Sequence, residues 1–208
     1  MIAIVDYGMG NVRSVQKAFE NLGHAAEVTP DPDRLRGAAG VVLPGVGAFG
    51  DCMANLERGG LREAVVEVVR SGKPFLGICL GLQLLFTESE EFGRQEGLGL
   101  VPGRVLRFPS TDPDGGSLKV PHIGWNEVRW RKRARIFEDL PDPSYLYFVH
   151  SYYVAPDDPD WLAGTAEYGS PFTAAIARDN IWGVQFHPEK SQQLGLEVLA
   201  RFGNLCQG

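Results

Sequence analysis

Residues 73–86 read Lys73-Pro74-Phe75-Leu76-Gly77-Ile78-Cys79-Leu80-Gly81-Leu82-Gln83-Leu84-Leu85-Phe86, and the fold class follows from how this stretch divides. The apolar run at 75–78, opened by Lys73-Pro74, fits a strand covered on both faces, as in a parallel sheet. Residues 80–86 begin a helix. A cysteine at that junction, with a glycine two positions to either side, is the thiol counterpart of the nucleophile elbow. Such a turn holds its central residue in a strained conformation, and side chains two positions away would collide, so glycines are needed there. The turn lifts sulfur above the sheet edge, and the N-terminus of the following helix favours the thiolate. Most cysteines are buried structural residues; the flanking glycines and the strand–helix context argue otherwise for Cys79. Cys52 and Cys206 lack that setting and read as structural.

Upstream, residues 2–5 form another short apolar run, closed by Asp6-Tyr7-Gly8-Met9-Gly10. Asn11 is expected to cap a helix with Val15, Ala18, Phe19 and Leu22 at helical spacing, ended by Gly23. Strands are expected at 25–28 and 41–43, with a Pro30-Asp31-Pro32 loop between them. A helical stretch then runs to Val69, broken at Gly59-Gly60. Strands alternating with helices imply right-handed crossovers and a parallel sheet with helices on both faces. Beyond Glu88 the texture changes: turn-rich segments at 109–117 and 156–160 separate short β-like runs at 104–108, 123–130, 145–149, 173–178 and 181–186. Asp179-Asn180 suits a tight hairpin between the last two. A closing helix at 191–205 carries Leu194, Val198, Leu199 and Phe202 at core spacing. With no repeat, low-complexity tract or linker, residues 1–208 are expected to form one domain.

The chain's 208 residues are enough to bury a core without disulfides. Its three cysteines, odd in number and far apart, fit a reducing cytoplasm rather than a disulfide framework. A net charge of −6 weighs against nucleic acid or an anionic membrane as a general partner. The opening apolar run has no basic leader, and no apolar stretch approaches the ~20 residues of a membrane span. The four histidines lack metal spacing and there is no paired-cysteine motif, so neither a zinc site nor another cofactor is expected.

A second chemical motif is Val184-Gln185-Phe186-His187-Pro188-Glu189. Pro188 pushes His187 into an extended conformation, and in an extended chain residues two apart share a side. Glu189 can therefore orient His187. His-Pro-Glu alone is a common loop tripeptide; joined to the elbow it gives a Cys79–His187–Glu189 triad, with His187 as base for the thiol. Gly45-Val46-Gly47-Ala48-Phe49-Gly50 matches the dinucleotide pattern G-x-G-x-x-G, but it follows the third strand instead of the first, without the acidic partner on a following strand. A better use of 44–47 is a flexible backbone strip beside Cys79, one of whose N–H groups joins that of Leu80 in holding an oxyanion. Arg129-Trp130-Arg131-Lys132-Arg133-Ala134-Arg135 is strongly basic and reads as a solvated hairpin tip or a docking face.

Gly77-Ile78-Cys79-Leu80-Gly81-Leu82-Gln83 and Phe186-His187-Pro188-Glu189 together resemble the class I (triad) glutamine amidotransferases. Four segments resemble, more narrowly, the glutaminase subunits of imidazole glycerol phosphate synthase in histidine biosynthesis: 44–50, Pro121-His122-Ile123-Gly124-Trp125-Asn126, Tyr147-Phe148-Val149-His150-Ser151-Tyr152, and His187-Pro188-Glu189-Lys190-Ser191. The resemblance covers essentially the whole chain. It implies a flavodoxin-like α/β fold, a central mostly parallel sheet with helices on both faces plus additional antiparallel strands. It implies glutamine as substrate and a (β/α)8-barrel cyclase as partner, which uses the ammonia to convert PRFAR to imidazole glycerol phosphate and AICAR. By motif, Cys79, His187 and Glu189 match the triad, and Gly47 and Leu80 the oxyanion hole. Gln83, Glu91, His150, Ser151 and Tyr152 match the glutamine pocket, and Asn11, Trp125, Tyr147 and Lys190 the partner interface or ammonia path. The alternatives are a glutaminase serving another synthase, a hydrolase on the same fold, and a non-catalytic binding module.

Overall fold

In the computed structural model, which describes residues 1–207, the first half alternates as its sequence predicts. β1 (Ile2–Val5), α1 (Val12–Asn21), β2 (Ala26–Thr29), α2 (Pro32–Gly37), β3 (Gly40–Gly45), α3 (Phe49–Arg58), α4 (Leu61–Arg70) and β4 (Phe75–Cys79) lead to the short helix α5 (Leu80–Leu84). The second half adds β5 (Phe86–Ser89), β6 (Gln95–Glu96), β7 (Val101–Arg107), β8 (His122–Trp130), β9 (Ser144–His150), β10 (Tyr152–Pro156), β11 (Leu162–Tyr168), β12 (Ser170–Arg178), β13 (Ile181–Val184) and α6 (Gln192–Leu205).

The parallel strands stand in the order β2-β1-β3-β4-β13, the flavodoxin-like order with β13 as the fifth strand. β1, β3, β4 and β13 are buried at every position, which is why they read as unbroken apolar runs. One face is covered by α1 and α6, through Val15, Phe19, Val198 and Phe202. The other is covered by α2, α3 and α4, through Leu35, Leu56, Val65 and Val68. Beyond β13 the sheet continues through the antiparallel strands β12, β10 and β7, and β11 links β12 to the β8–β9 hairpin.

Several local expectations are corrected. Asn11 makes no side-chain cap to α1; its amide reaches a distant carboxylate, described below. The 30–32 loop is the start of a helix: Asp31 caps α2 by accepting from Asp33 N at 2.9 Å, with Pro32 in the first turn. The helix after the elbow stops at Leu84 instead of running to Phe86. The carbonyls of Leu84, Leu85 and Phe86 accept from Leu98, Leu100 and Gly99, so a returning segment replaces the next helical turn. An all-apolar run carries no period by which to foresee that. The break at Gly59-Gly60 is as expected, with Gly60 at φ +64° dividing α3 from α4. The basic segment 129–135 is neither wholly solvated nor a free face. Lys132 Nζ donates to the Asp160 and Ala177 carbonyls at 3.0 and 3.1 Å, and Arg133 donates to Leu140 O at 2.6 Å.

Candidate active site

Cys79 ends β4 with φ 55° and ψ −112°, a conformation costly for any residue with a Cβ, typically by about 1–3 kcal/mol. The neighbouring glycines are what let it exist. A Cβ on Gly81 would overlap the Leu43 carbonyl oxygen, one on Gly77 would lie 2.8 Å from Gly81 O, and one on Gly45 would lie 2.9 Å from Gly81 N. Gly45, the first glycine of the dinucleotide-like pattern, is thus needed for close packing of β3 on the elbow. Because α5 has only five residues, what it offers a thiolate is its first unpaired N–H groups rather than a long macrodipole.

His187 is extended, at φ −97° and ψ 98°, and Pro188 starts a 3₁₀ turn, Pro188–Lys190, that brings Glu189 round to it. His187 Nδ1 lies 3.0 Å from Glu189 Oε1, with the two side chains only 2% and 1% exposed. The carboxylate therefore fixes Nδ1 as the protonated nitrogen and turns Nε2 toward the sulfur. Burial alone would lower the His187 pKa, but Cys79 and Glu189 outweigh it and push it up to about 10. Nε2 itself is buried, and Cys79 is the side chain that acts on the ring besides Glu189. Asn11 Nδ2 donates to the same Glu189 oxygen at 3.4 Å. Ser191 Oγ accepts from Tyr147 N at 3.0 Å and donates to His187 O at 2.7 Å, and His187 N donates to Tyr147 O at 2.9 Å. The segment His187–Ser191 is thereby pinned to β9.

Cys79 and His187 open on a cavity of about 250 Å³, also lined by Val46, Gly47, Leu80, Gln83, Glu91, Pro121, Val149, His150, Ser151 and Tyr152. Every residue expected at the oxyanion hole or the glutamine pocket is among them. Three of these side chains are already engaged. Glu91 Oε2 accepts from Phe49 N at 2.6 Å, at the start of α3. Gln83 Nε2 donates to Tyr152 O at 3.1 Å and to Gln185 Oε1 at 3.0 Å. His150 Nδ1 faces Tyr152 O at 2.8 Å and must carry the proton; its Nε2 then accepts from His122 Nδ1 at 3.0 Å. Burial lowers the His122 pKa to about 4, and burial, partly offset by the Tyr152 carbonyl, lowers that of His150 to about 3. The pair is neutral near pH 7.

In the strip beside Cys79, Gly47 has φ +102°. Tyr7 OH donates to Pro44 O at 2.8 Å, and the Cys52 thiol reaches Val46 O at 3.6 Å. Burial raises the Cys52 pKa to about 11, so this cysteine is a neutral structural group. All three cysteines are free thiols.

Trp125 is not a core residue. Burial alternates along β8 and β9, and their outward face shows Ile123 at 60%, Trp125 at 45% and Tyr145 at 55% exposure. Trp125 meets Tyr147 edge to face at 5.9 Å. Val149, on the same face, also lines the cavity, so the apolar stripe runs up to the pocket mouth. Lys190, next to Glu189 in the chain, is exposed. Two residues missed in the sequence are His122, paired across the hairpin with His150, and Gln185, whose Nε2 is 3.7 Å from Cys79 Sγ. Only Gln185 carried a usable signal, its position two residues before His187 on an extended chain.

The family model for class-I glutamine amidotransferases matches residues 3–204. The imidazole glycerol phosphate synthase subunit HisH of Syntrophotalea carbinolica is 57% identical over 206 residues, 99% of this chain and 100% of that protein. The protein of the same name from Geobacter sulfurreducens is 56% identical, over 98% of each chain. Among solved structures, a glutamine amidotransferase superposes with a TM-score of 0.75 at 17% identity, over 100% of both chains. PurLQS from Thermotoga maritima gives 0.73 at 19% identity, over 99% of this chain and 96% of the matched one. At those identities the structural likeness speaks for the fold.

Proposed function

The chain belongs to the class-I glutamine amidotransferase family, and from that premise we propose that it is the glutaminase subunit of an imidazole glycerol phosphate synthase, working through Cys79, His187 and Glu189. The observation that carries the chemical reading is a cysteine held at positive φ above a cavity, facing a histidine whose far nitrogen is fixed by a buried carboxylate.

Glutamine enters with its side-chain amide over Cys79. The sulfur gives its proton to His187 Nε2 and attacks the amide carbon. The N–H groups of Gly47 and Leu80 hold the oxyanion, a donor of this kind being worth roughly 10²–10³ in rate. The C–N bond breaks as His187 protonates the leaving nitrogen, giving ammonia and a γ-glutamyl thioester. His187 then takes a proton from water, which attacks the thioester to release glutamate and restore Cys79. Neither step calls for a cofactor. Gln83, Glu91, His150, Ser151 and Tyr152 shape the end of the cavity that receives the amino-acid portion of glutamine.

Ammonia passes to a (β/α)8-barrel cyclase that turns PRFAR into imidazole glycerol phosphate and AICAR. That partner docks on the apolar β8–β9 face around Trp125 and Tyr147, with Lys190 and Asn11 nearby, and the pair works in the cytoplasm. We read residues 1–208 as a single domain.

The deciding assay compares wild type and Cys79→Ala, each with the cyclase, PRFAR and glutamine. Glutamate release is expected to fall to background in the variant while free ammonium still supports imidazole glycerol phosphate formation. Substantial glutamine turnover by folded Cys79→Ala would remove Cys79 from its role. A different synthase copurifying with the chain would move the assignment to another branch of the family.

A further inference from the structure

Gln185 is a polar side chain with no solvent exposure, and none of the steps above uses it. It follows β13 directly, and its main-chain N–H extends the ladder by donating to Ala174 O at 2.9 Å. His187 lies two residues on, past a bend at Gln185-Phe186, and Gln185 reaches the sulfur of Cys79 while His187 lines the cavity beside it.

The direction of the Gln185 amide is set from behind. Tyr152 O can only accept, so the Gln83 atom facing it at 3.1 Å is nitrogen. That nitrogen also donates to Gln185 at 3.0 Å, which makes the facing atom Oε1. Gln185 Nε2 is then left pointing at Cys79 Sγ, 3.7 Å away and within hydrogen-bonding reach of sulfur. Gln185 does not line the cavity. It approaches the sulfur from the protein side.

We propose that Gln185 is a second hydrogen-bond donor to the nucleophile, holding the Cys79 thiolate from behind while the opposite side of the sulfur faces glutamine. The inference rests on Cys79 being the nucleophile. Once the sulfur has passed its proton to His187, a negative charge sits in a site that water scarcely reaches, and such a charge needs donors. Besides His187, the other polar group within hydrogen-bonding reach of the sulfur among the described residues is Val149 O, at 3.9 Å, an acceptor that suits the thiol and not the thiolate. A neutral amide donates without titrating, so its help does not change with pH. A hydrogen bond made to the charged form favours that form.

The test uses the chain in complex with its cyclase partner, comparing wild type with Gln185→Met, of similar size but without the donor. Iodoacetamide inactivation is measured against pH, beside kcat and KM for glutamine. The inactivation midpoint is expected to move up by about one pH unit, the equivalent of tenfold in the thiolate equilibrium. kcat should fall about tenfold with KM within twofold. Gln185→Asn, which keeps the amide but withdraws it by one methylene, should move the profile the same way if methionine is not accommodated. A purely structural role would lower the melting temperature and leave the inactivation profile in place. An unshifted profile and unchanged kcat in a folded variant overturn the proposal. If wild-type activity resists iodoacetamide altogether, it is the Cys79 reading that fails.

Discussion

Cys79, the proposed nucleophile, occupies a backbone conformation suited to glycine, so strain and the proposed role meet at one position. Cys79→Gly and Cys79→Ala should both abolish glutamine hydrolysis, yet differ in stability. Glycine relieves the positive φ and alanine keeps it, so Cys79→Gly is predicted to unfold later by about 1 kcal/mol. Urea melts of the two inactive variants measure that difference, and equal midpoints would mean the elbow is unstrained. His187 and Glu189 form the other local unit. His187→Ala should be about as damaging as loss of Cys79, whereas Glu189→Gln loses less, since an orienting carboxylate contributes less than the base it orients. Glu189 also helps raise the His187 pKa. Imidazole titration by NMR in a Cys79→Ala background should therefore give a lower midpoint after Glu189→Gln, and an equal one would detach the carboxylate from the ring.

Among the elements, the β8–β9 hairpin carries a buried neutral histidine pair, and this has a consequence in acid. The folded-state pKa values of His122 and His150 are depressed to about 4 and about 3. In the unfolded chain both titrate near the ordinary value of about 6.5. Below that pH the unfolded state binds protons that the folded state refuses, so stability is intact above about 6.5 and falls as pH drops toward 4. For His122 alone the loss is on the order of 3 kcal/mol by about pH 4. His122→Gln keeps a polar group against His150 and should flatten the dependence; an unchanged slope would mean that His122 takes up its proton equally in the folded and unfolded states and contributes nothing to it. The elbow makes a different demand. Gly81 faces the Leu43 main-chain carbonyl with no room for a methyl group, and backbone can yield only by shifting β3. Gly81→Ala is therefore predicted to destabilise by about 2 kcal/mol or more, read by chemical denaturation.

Across the whole molecule, the active-site mouth and the exposed apolar stripe form one continuous surface. Ile123, Trp125 and Tyr145 stand exposed on one face of the hairpin, and the proposed partner, docked there, would cover them. Trp125→Ala is expected to weaken complex formation at least tenfold in titration calorimetry, the size of effect seen when a central aromatic is removed from an interface, without disturbing the fold. Unchanged affinity would place the docking surface elsewhere. The strip at 44–47 lies on the same rim, its Pro44 and Val46 carbonyls held by Tyr7 and Cys52. From this placement, partner contact at the rim is predicted to bias how the Gly47 N–H points. The isolated chain is accordingly predicted to release glutamate much more slowly than the complex with PRFAR bound; full activity of the lone chain at saturating glutamine would defeat this.

The sequence by itself determined the parallel core, the elbow at Cys79 and the contact of His187 with Glu189. Apolar runs such as Ile2–Val5 admit little besides buried strands, glycines around a cysteine encode an elbow by steric exclusion, and a proline after His187 keeps that residue extended, although it is the 3₁₀ turn at Pro188–Lys190, not a continuing extended chain, that brings Glu189 to it. These are local effects, complete within a few residues. What only the tertiary structure decided depends on partners distant in the chain. The helix after Cys79 ends early because the 98–100 segment takes its carbonyls. Asn11 bonds to Glu189 instead of capping α1, and His122 meets His150 across a hairpin register. Gln185 aims at Cys79 because Gln83 and Tyr152 turn its amide that way. Hydrogen bonds between buried side chains are directional and long-range, and no periodicity in the sequence records which donor will face which acceptor.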